Sequence, residues 1–347
     1  MPSAKTETSE LSVAFGILGM DPTLIYPQLE INQRFIESLS EEKYNAFREE
    51  YKRKTELYER LLRVGQTMSI KHTPIGQAGV VQWTGPLHQA STTSVAKDLL
   101  VANTPVSVKT ESNVVANLSP PNMMMNLPGG TAPSSREENW YLTAQPYEVQ
   151  ELYKFVREMS PELQDLPEDI RSFEEQASKD DRKLIQKTIK RYSDGERKEF
   201  TKRYLELCHR VAEKSADLFN HNLKASLSTG ARRAVLENLM RWFFRLNAVR
   251  YVLCGIDRKE EFALNVPELT AWMREWDLVE VVAKPDLTRG QSVVNFDVNC
   301  RRKDDRYEHR APYHAEIRWS HGRFSGAVES KLYKEFAWRD VPFLPEF

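Results

Sequence analysis

The stretch DLLVANTPVSVK begins with an aspartate and ends with a lysine, and its apolar residues alternate with the others. Alternation with a period of two is typical of half-buried β-strands. The Ala-Asn-Thr-Pro sequence in its middle predicts a four-residue turn between two strands. With that turn Val101 pairs with Val106, and Asp98 lies opposite Lys109. The sequence therefore predicts a hairpin that holds a carboxylate and an ammonium group side by side.

The polar face of this predicted hairpin carries two acids and a lysine. Residues two apart on a strand share a face, so one face holds Asp98, Leu100, Ser107, Lys109 and Glu111. Carboxylate oxygens are ligands that Mg²⁺ prefers, and a nearby ammonium group stabilises negative charge that develops on a phosphate. A divalent ion at such a site lowers the pKa of an attacking water. These residue types are suited to hydrolysis of a phosphodiester bond.

The hairpin resembles the PD-(D/E)XK nucleases, the restriction-endonuclease-like superfamily. The motif of that family is an Asp on one strand and acid-x-Lys on the neighbouring antiparallel strand. Asp98 matches the first acid and Lys109 matches the lysine, within a resemblance that covers roughly residues 80–120. The resemblance implies that Asp98 is a Mg²⁺ ligand, that Lys109 is its electrostatic partner, and that the Val108 carbonyl is a further ligand.

The chain departs from the family motif at one position. Ser107 stands two residues before Lys109, where the family usually has Asp or Glu, and this difference removes one anionic ligand. Glu111, on the same predicted face, is the first candidate to replace it, and a glutamate of an N-terminal helix such as Glu42 or Glu49 is the second. The alternative is an exposed Asp–Lys ion pair without catalysis, which contributes about 0–1 kcal/mol.

Charge is divided unevenly along the chain, although the net charge is only −1. Residues 137–181 contain 13 acidic and 4 basic residues, whereas residues 182–250 contain 17 basic and 7 acidic residues. Such an asymmetry indicates a polyanionic partner. It is also compatible with long solvated helices that carry charge for solubility, and with an acidic and a basic segment that pair with each other.

Several observations on composition suggest a cytoplasmic protein. The three cysteines are Cys208, Cys254 and Cys300, which lie far apart and are expected to be free buried thiols in a reducing compartment. Residues 1–10 have the composition of a frayed polar tail, and no apolar run approaches the roughly 18–20 residues of a membrane span. The sequence therefore predicts no signal peptide and no membrane contact.

The order of predicted elements indicates an α/β (α+β) fold in three regions. Residues 1–135 are predicted to form the nuclease-like core, for which the resemblance implies a restriction-endonuclease-like mixed sheet. Residues 136–250 are predicted to form a large helical, charge-polarised region, and residues 251–347 a β-rich C-terminal part. Residues 119–138 are rich in Pro, Gly and Ser and predict a loop or linker.

Two helices are predicted before the hairpin, over residues 26–39 and 41–65. Ser40 is the predicted N-cap of the second helix, since Glu41 and Glu42 follow it in the first turn. An apolar stripe at helical spacing runs along this second helix: Tyr44, Phe47, Tyr51, Tyr58 and Leu61.

A second predicted hairpin near the C-terminus is a candidate DNA-contacting element. Arginine reads guanine edges and phosphates in DNA grooves. The residues expected to contact DNA are Arg318, Ser320, His321 and Arg323 on this hairpin, and Arg232 and Arg233 on a basic helix. The alternative is an edge hairpin that is stabilised by its own ion pairs and aromatic residues.

Together these patterns predict a Mg²⁺-dependent DNA endonuclease of restriction type that acts on duplex DNA. Cleavage of two strands favours a homodimer, and a restriction enzyme would be accompanied by a cognate DNA methyltransferase acting on the same site. A non-catalytic nucleic-acid-binding protein is the first alternative, since Ser107 replaces an acid. A helical scaffold or interaction protein is the second.

Overall fold

The structure is a computed structural model that describes residues 3–24, 35–84, 97–125, 139–228 and 232–346. It is a mixed α/β protein with two sheets, one mixed and one antiparallel. Two buried apolar clusters underlie the sheets: one contains strand residues of the first sheet alone, and the larger one contains strand residues of both sheets. The α/β (α+β) fold class is thus confirmed at this level, and the division into three regions stays a prediction.

The N-terminal residues form a buried helix and not the polar tail that the composition predicted. Helix α1 spans Ala4–Ile17, and Ser3 caps it by accepting a hydrogen bond from the Thr6 amide. Polar side chains are tolerated in its buried turns because several bond to the helix itself; Ser12 Oγ, for example, donates to the Thr8 carbonyl at 2.8 Å. The prediction of a tail was wrong because Ser and Thr are also common in exposed tails. Here they cap α1 or bond to its backbone carbonyls.

Three further helices of this part are α2 (Glu41–Arg53), α3 (Thr55–Lys71) and α4 (Thr73–Gly76). Helices α2 and α3 pack against α1, and α4 packs against α3. Ser40 caps α2 as predicted, by accepting from the Lys43 amide, and the five predicted stripe residues are buried. Helices α1 and α3 cross in backbone contact, because a Cβ on Gly16 would lie 2.0 Å from the Leu62 carbonyl oxygen. The helix predicted over 26–39 lies mostly outside the described residues.

The first sheet has the strand order β1-β2-β3-β4-β6-β7. Strand β2 pairs antiparallel with β3, β3 antiparallel with β4, and β4 parallel with β6. Strands β1 and β2 are parallel, and β6 and β7 are antiparallel. The strands are β1 (Ile36–Glu37), β2 (Val81–Trp83), β3 (Leu99–Val101), β4 (Thr104–Thr110), β6 (Tyr251–Asp257) and β7 (Glu260–Val266).

The hairpin of β3 and β4 exists, but its predicted register is wrong. Val101 pairs with Thr104 and not with Val106, which pairs with Leu99. The turn consists of Ala102 and Asn103 alone, at φ values of 46° and 64°, as in the tight two-residue turns that match strand twist. The register therefore moves by two residues, so the extended pairing brings Asp98 towards Ser107 instead of placing it opposite Lys109.

The second sheet is antiparallel, with the order β5-β11-β10-β9-β8. Its strands are β5 (Val114–Leu118), β8 (Trp276–Asp286), β9 (Ser292–Arg302), β10 (Glu308–Trp319) and β11 (Val328–Lys334). A buried ion pair connects the two sheets: Lys334 Nζ on β11 donates to Asp257 Oδ2 on β6 at 2.7 Å. If the two sheets moved apart, Lys334 and Asp257 would each be a buried charge without a partner, which is costly. The ion pair therefore favours this arrangement of the two sheets.

Helices from the middle of the chain cover one face of the second sheet. The 34-residue helix α10 (Asp194–Leu227) packs against β8 and β9, where the Asn220 side chain bonds both the N–H and the carbonyl of Ala283. The other helices are α5 (Pro120–Met124), α6 (Trp140–Ala144), α7 (Pro146–Glu158), α8 (Ile170–Gln176), α9 (Lys179–Arg191), α11 (Arg232–Phe244) and α12 (Leu269–Glu275). Within the described ranges, two short 3₁₀ helices span Pro161–Leu163 and Trp338–Asp340. Helix α5 lies in the part of residues 119–138 that the structure describes, where a loop was predicted.

The acidic and basic segments of the helical region are joined by ion pairs. Over the described residues these are Arg182–Glu174 at 3.0 Å, Arg210–Glu148 at 2.8 Å and Arg191–Glu162 at 3.8 Å. Part of the charge asymmetry is therefore neutralised within the protein. All three cysteines are free and buried, as predicted. None of the helices in the described ranges is long and apolar enough to cross a membrane.

Candidate active site

Asp98 directly precedes β3 and is buried beside the end of β4, with 5 % of its surface exposed. Its amide donates to the Val106 carbonyl at 2.9 Å, and its Oδ2 accepts from the Val108 amide at 2.7 Å. Asp98 Oδ2 also accepts from Ser107 Oγ at 3.3 Å. The Asp98 carboxylate thus accepts the hydrogen bond that a backbone carbonyl of the paired strand would otherwise accept from the Val108 amide. This bond holds the side chain in a fixed orientation where β3 begins.

Glu10 of α1 is the second acid at this location, and the sequence analysis did not identify it. It is 2 % exposed, and its Oε2 accepts a hydrogen bond from Trp83 Nε1 of β2 at 2.7 Å. Burial, and next the negative charge of Asp98, raise the pKa of Glu10 to about 8. At neutral pH this carboxyl group is therefore mostly protonated.

Lys109 completes the group from β4. Burial and the positive charge of Arg245 lower its pKa, and the charges of Asp98 and Glu10 act in the opposite direction. Across the described part of the chain, its Nζ donates no hydrogen bond and has no carboxylate oxygen within 4 Å. Lys109 is half-buried, and an ammonium group with a perturbed pKa and no direct partner is a candidate functional group, because such groups are concentrated at functional sites.

A cleft of about 220 Å³ gives solvent access to Lys109. The first two turns of α1 form one wall through Lys5, Thr6 and Ser9, and the end of β4 forms the other through Lys109 and Ser112. The lysine is therefore within reach of a molecule that enters between α1 and the sheet.

Gly255 on β6 allows the strands to approach each other next to Lys109. Its φ is +141°, and a Cβ there would lie 1.8 Å from the Lys109 carbonyl oxygen. A larger residue would push β4 and β6 apart at the site, so the backbone position of Lys109 depends on this glycine.

The acids that the sequence analysis offered as replacements for the motif acid lie elsewhere. Glu111 follows β4 at φ 54°, is exposed, and its carboxylate lies 3.7 Å from Lys5 Nζ. Glu42 and Glu49 are exposed on α2, and Glu49 pairs with Lys52 at 3.0 Å. Ser107 and Val108 are at the site, where the hydroxyl and the amide donate to Asp98.

The metal-ligating potential of the site consists of two carboxylates. In the described ranges no group of three or more His, Cys, Asp or Glu side chains is arranged to hold a metal ion. Mg²⁺, however, is commonly bound through one or two carboxylates, with waters and substrate phosphate supplying the remaining oxygens. The pair of Glu10 and Asp98 fits that requirement.

On the C-terminal hairpin, two of the residues predicted to contact DNA are engaged with the protein. Arg318 lies 3.6 Å from Glu316 and 3.5 Å from Glu329. The Arg323 guanidinium covers the rings of Phe200 and Tyr204, at 5.2 and 4.3 Å from their centroids. The contacts with the helical region favour a structural role for this hairpin.

The remaining residues predicted to contact DNA are more accessible. His321 is exposed and Ser320 is half-buried in the turn between β10 and β11. Arg233 pairs with Glu237 at 2.9 Å. Arg232 is exposed and lines a cleft of about 420 Å³ together with Arg301 and Lys303.

One signal in the sequence pointed to Glu10. Glu7 and Glu10 precede the apolar run that starts at Leu11, and both fall within one helix if that run is extended towards the N-terminus. Glu7 is itself buried, and Lys43 Nζ donates to both of its carboxylate oxygens, at 2.7 and 2.8 Å. The polar composition of residues 1–10, which is typical of a tail, conceals the fact that both acids belong to a helix.

No family model, no curated protein and no solved structure matches this chain.

Proposed function

We propose that the protein is a Mg²⁺-dependent nuclease that hydrolyses phosphodiester bonds in duplex DNA. The observation that carries the proposal is the convergence of Glu10, Asp98 and Lys109 from three elements of the fold. Glu10 bonds Trp83, whose strand partner Leu99 follows Asp98. Asp98 in turn bonds the Val108 amide, next to Lys109. An acid, a second acid and a lysine are the set that the hairpin resemblance implied, with Glu10 in the role that Ser107 leaves vacant.

The electrostatics of the two acids support a cation site. Burial first, and repulsion by the charge of Asp98 second, raise the pKa of Glu10 to about 8. A divalent cation held by Glu10 and Asp98 would favour the ionised form of Glu10 and so release its proton. When bound there, Mg²⁺ supplies Lewis-acid activation of a phosphate oxygen and of water.

The protein's own groups have separate tasks in this proposal. Asp98 is held by the Val108 amide and keeps its orientation without substrate, which reduces the reorganisation needed in the reaction. Lys109 stabilises negative charge that develops on the phosphate. Trp83 orients Glu10 through its indole N–H.

Exposed lysines on α9 and α10 support a polyanionic substrate. Lys187, Lys190, Lys198 and Lys202 are exposed, and in the described ranges none forms an ion pair. Their positive charge is not neutralised by the ion pairs that join the acidic and basic segments. Phosphate contacts by such residues make binding fall steeply with salt. A homodimer and a companion methyltransferase remain further expectations of this proposal.

The test is cleavage of supercoiled plasmid by the purified protein with Mg²⁺, with and without a chelator. We expect cleavage that needs Mg²⁺ and is lost in Asp98→Asn, Lys109→Met and Glu10→Gln. Glu49→Gln, an exposed acid on α2, is the matched control and should cleave like the wild type. Glu111→Gln separates the two candidate acids: loss of cleavage in Glu111→Gln but not in Glu10→Gln would reject the assignment of Glu10.

A non-catalytic nucleic-acid-binding protein is the second candidate, favoured by the serine at position 107. It predicts salt-dependent binding of duplex DNA without cleavage under any metal condition. Absence of both binding and cleavage would reject both candidates and favour the hypothesis of a helical scaffold protein. The ion pairs between the acidic and basic segments also support that hypothesis.

A further inference from the structure

A cavity of about 530 Å³ lies at the edge of the first sheet. Its lining comes from the first residues of β4 and β6, the last residues of β7 and the first turn of α12. Pockets that bind small organic molecules commonly have volumes of roughly 300–1,000 Å³ and a mostly apolar lining with a few polar groups. The size of this cavity therefore suits a small-molecule ligand.

The buried part of the lining is apolar. Val252, Val266 and Tyr251 are buried, and the Tyr251 hydroxyl is already used in a hydrogen bond to the Arg245 carbonyl at 3.1 Å. Val252 belongs to the apolar cluster of the first sheet, whereas Val266 belongs to the larger cluster. The cavity thus lies where the two clusters meet, and it offers a bound molecule an apolar surface.

Arg250 adds a positive charge to this apolar cavity. It lines the cavity and is exposed, and within the described ranges its side chain forms no hydrogen bond and no ion pair. A guanidinium group can donate two parallel hydrogen bonds to a carboxylate, because the two planar groups match in geometry. Arg250 is therefore suited to the acidic group of a ligand whose apolar part occupies the cavity.

Two further lining groups limit the charge of such a ligand. The Glu268 carboxylate accepts a hydrogen bond from Thr270 Oγ1 at 2.6 Å, and its negative charge would repel a second anionic group. His72 Nδ1 accepts from the Ile75 amide at 3.3 Å, which places the proton of the neutral imidazole on Nε2. Burial, and next the charge of Arg250, lower the pKa of His72 and favour this neutral form. The lining thus favours a ligand with one negative charge over a nucleotide.

We propose that this cavity binds a small monocarboxylic acid with an aliphatic or aromatic body. The carboxylate pairs with Arg250, and the apolar body packs against Val252 and Val266. The inference goes beyond the nuclease activity and does not rest on it, because this cavity and the cleft at Lys109 have no lining residue in common.

The first arm of the test uses two probes, octanoate and 2-naphthoate, each compared with the neutral alcohol of the same carbon skeleton. Binding to the full chain is measured by isothermal titration calorimetry. We expect at least one of the carboxylates to bind saturably, with one molecule per chain, and its alcohol to bind much more weakly. If neither carboxylate binds, or if the alcohols bind equally well, the inference is wrong.

In the second arm, Arg250→Gln removes the guanidinium group. The matched control is Arg258→Gln, since Arg258 is an exposed arginine in the turn between β6 and β7 and does not line the cavity. Arg250→Gln should weaken binding of the carboxylate by roughly tenfold to a hundredfold, the range for a hydrogen bond to a charged group. Arg258→Gln should bind like the wild type. Equal affinities of the two variants would overturn the inference.

In the third arm, Thr104→Phe reduces the volume of the cavity without a change of charge. Thr104 lines the cavity from β4, and phenylalanine is compatible with a strand. Binding should be lost in this variant, whose folding is checked by a thermal melt. A folded Thr104→Phe protein with wild-type affinity would show that the carboxylate binds elsewhere. If this variant does not fold, the comparison of Arg250→Gln with Arg258→Gln decides, because both positions are exposed.

Discussion

The buried carboxyl group of Glu10 makes the stability of the protein depend on pH in a specific direction. Its pKa is raised from 4.5 to about 8 in the folded state. A folded protein that binds a proton more tightly than the unfolded chain loses stability as the pH rises between the two values. At about 1.4 kcal/mol for each pH unit, the loss is on the order of 3 kcal/mol at pH 7 and about 5 kcal/mol above pH 8.

Glu10→Gln should remove this loss, because glutamine resembles the protonated acid and still offers an oxygen to Trp83. Without divalent ions, we expect the variant to equal the wild type near pH 4.5 and to exceed it by several kcal/mol above pH 8. Urea denaturation in a chelator from about pH 5 to 9 measures the difference. Glu42→Gln, an exposed acid of α2, is the control and should follow the wild-type curve.

Magnesium should act on the same group. Above pH 8, millimolar Mg²⁺ should stabilise the wild type, and its apparent affinity should weaken about tenfold for each pH unit below 8, because binding displaces one proton. Glu10→Gln should lose both effects. Parallel pH–stability curves for the wild type and Glu10→Gln would refute the argument that Glu10 carries a proton held by burial and by Asp98.

Three further substitutions test how the site is positioned. Gly255→Ala should abolish cleavage or unfold the protein, since its Cβ would overlap the Lys109 carbonyl; a plasmid assay and a thermal melt check this. Gly65→Ala, whose Cβ would lie 2.2 Å from a carbonyl oxygen of α1, should lower stability by about 1–3 kcal/mol by urea denaturation. Lys334→Met leaves Asp257 as an unpaired buried acid and should cost roughly 3–5 kcal/mol by the same measurement; a wild-type midpoint would show that the pair does not join the sheets.

Much of the local structure was predictable because it follows from short-range chemistry. The Ser40 cap and the buried aromatic stripe of α2 and α3 are present where the patterns indicated them. The single helix predicted over 41–65 is wrong in one respect, since the chain leaves the helical conformation at Lys54 and forms α2 and α3. Helix caps and hydrophobic periodicity depend on residues a few positions apart, so they can be predicted from the sequence without knowledge of the fold.

The register of the hairpin formed by β3 and β4 was not predictable in the same way. Ala-Asn-Thr-Pro is compatible with a four-residue turn and with a two-residue turn. In the structure Ala102 and Asn103 form the turn at positive φ, and Thr104 and Pro105 belong to β4. Pairing of β4 with β6 and of β2 with β3 decides between them, because both flanking strands constrain the ladder. A shift by two residues keeps every side chain on its face, so Ser107 and Lys109 still share the face they were predicted to share.

The sequence alone determined the residue types of the hairpin, its alternating pattern and the presence of Asp98 and Lys109 near its two ends. Only the tertiary structure brought in Glu10, which is separated from the hairpin by about 90 residues of chain. Its position depends on the glycine contact of α1 with α3. Long-range packing decides such contacts, and no periodicity or local motif encodes the distance between residues so far apart in the chain.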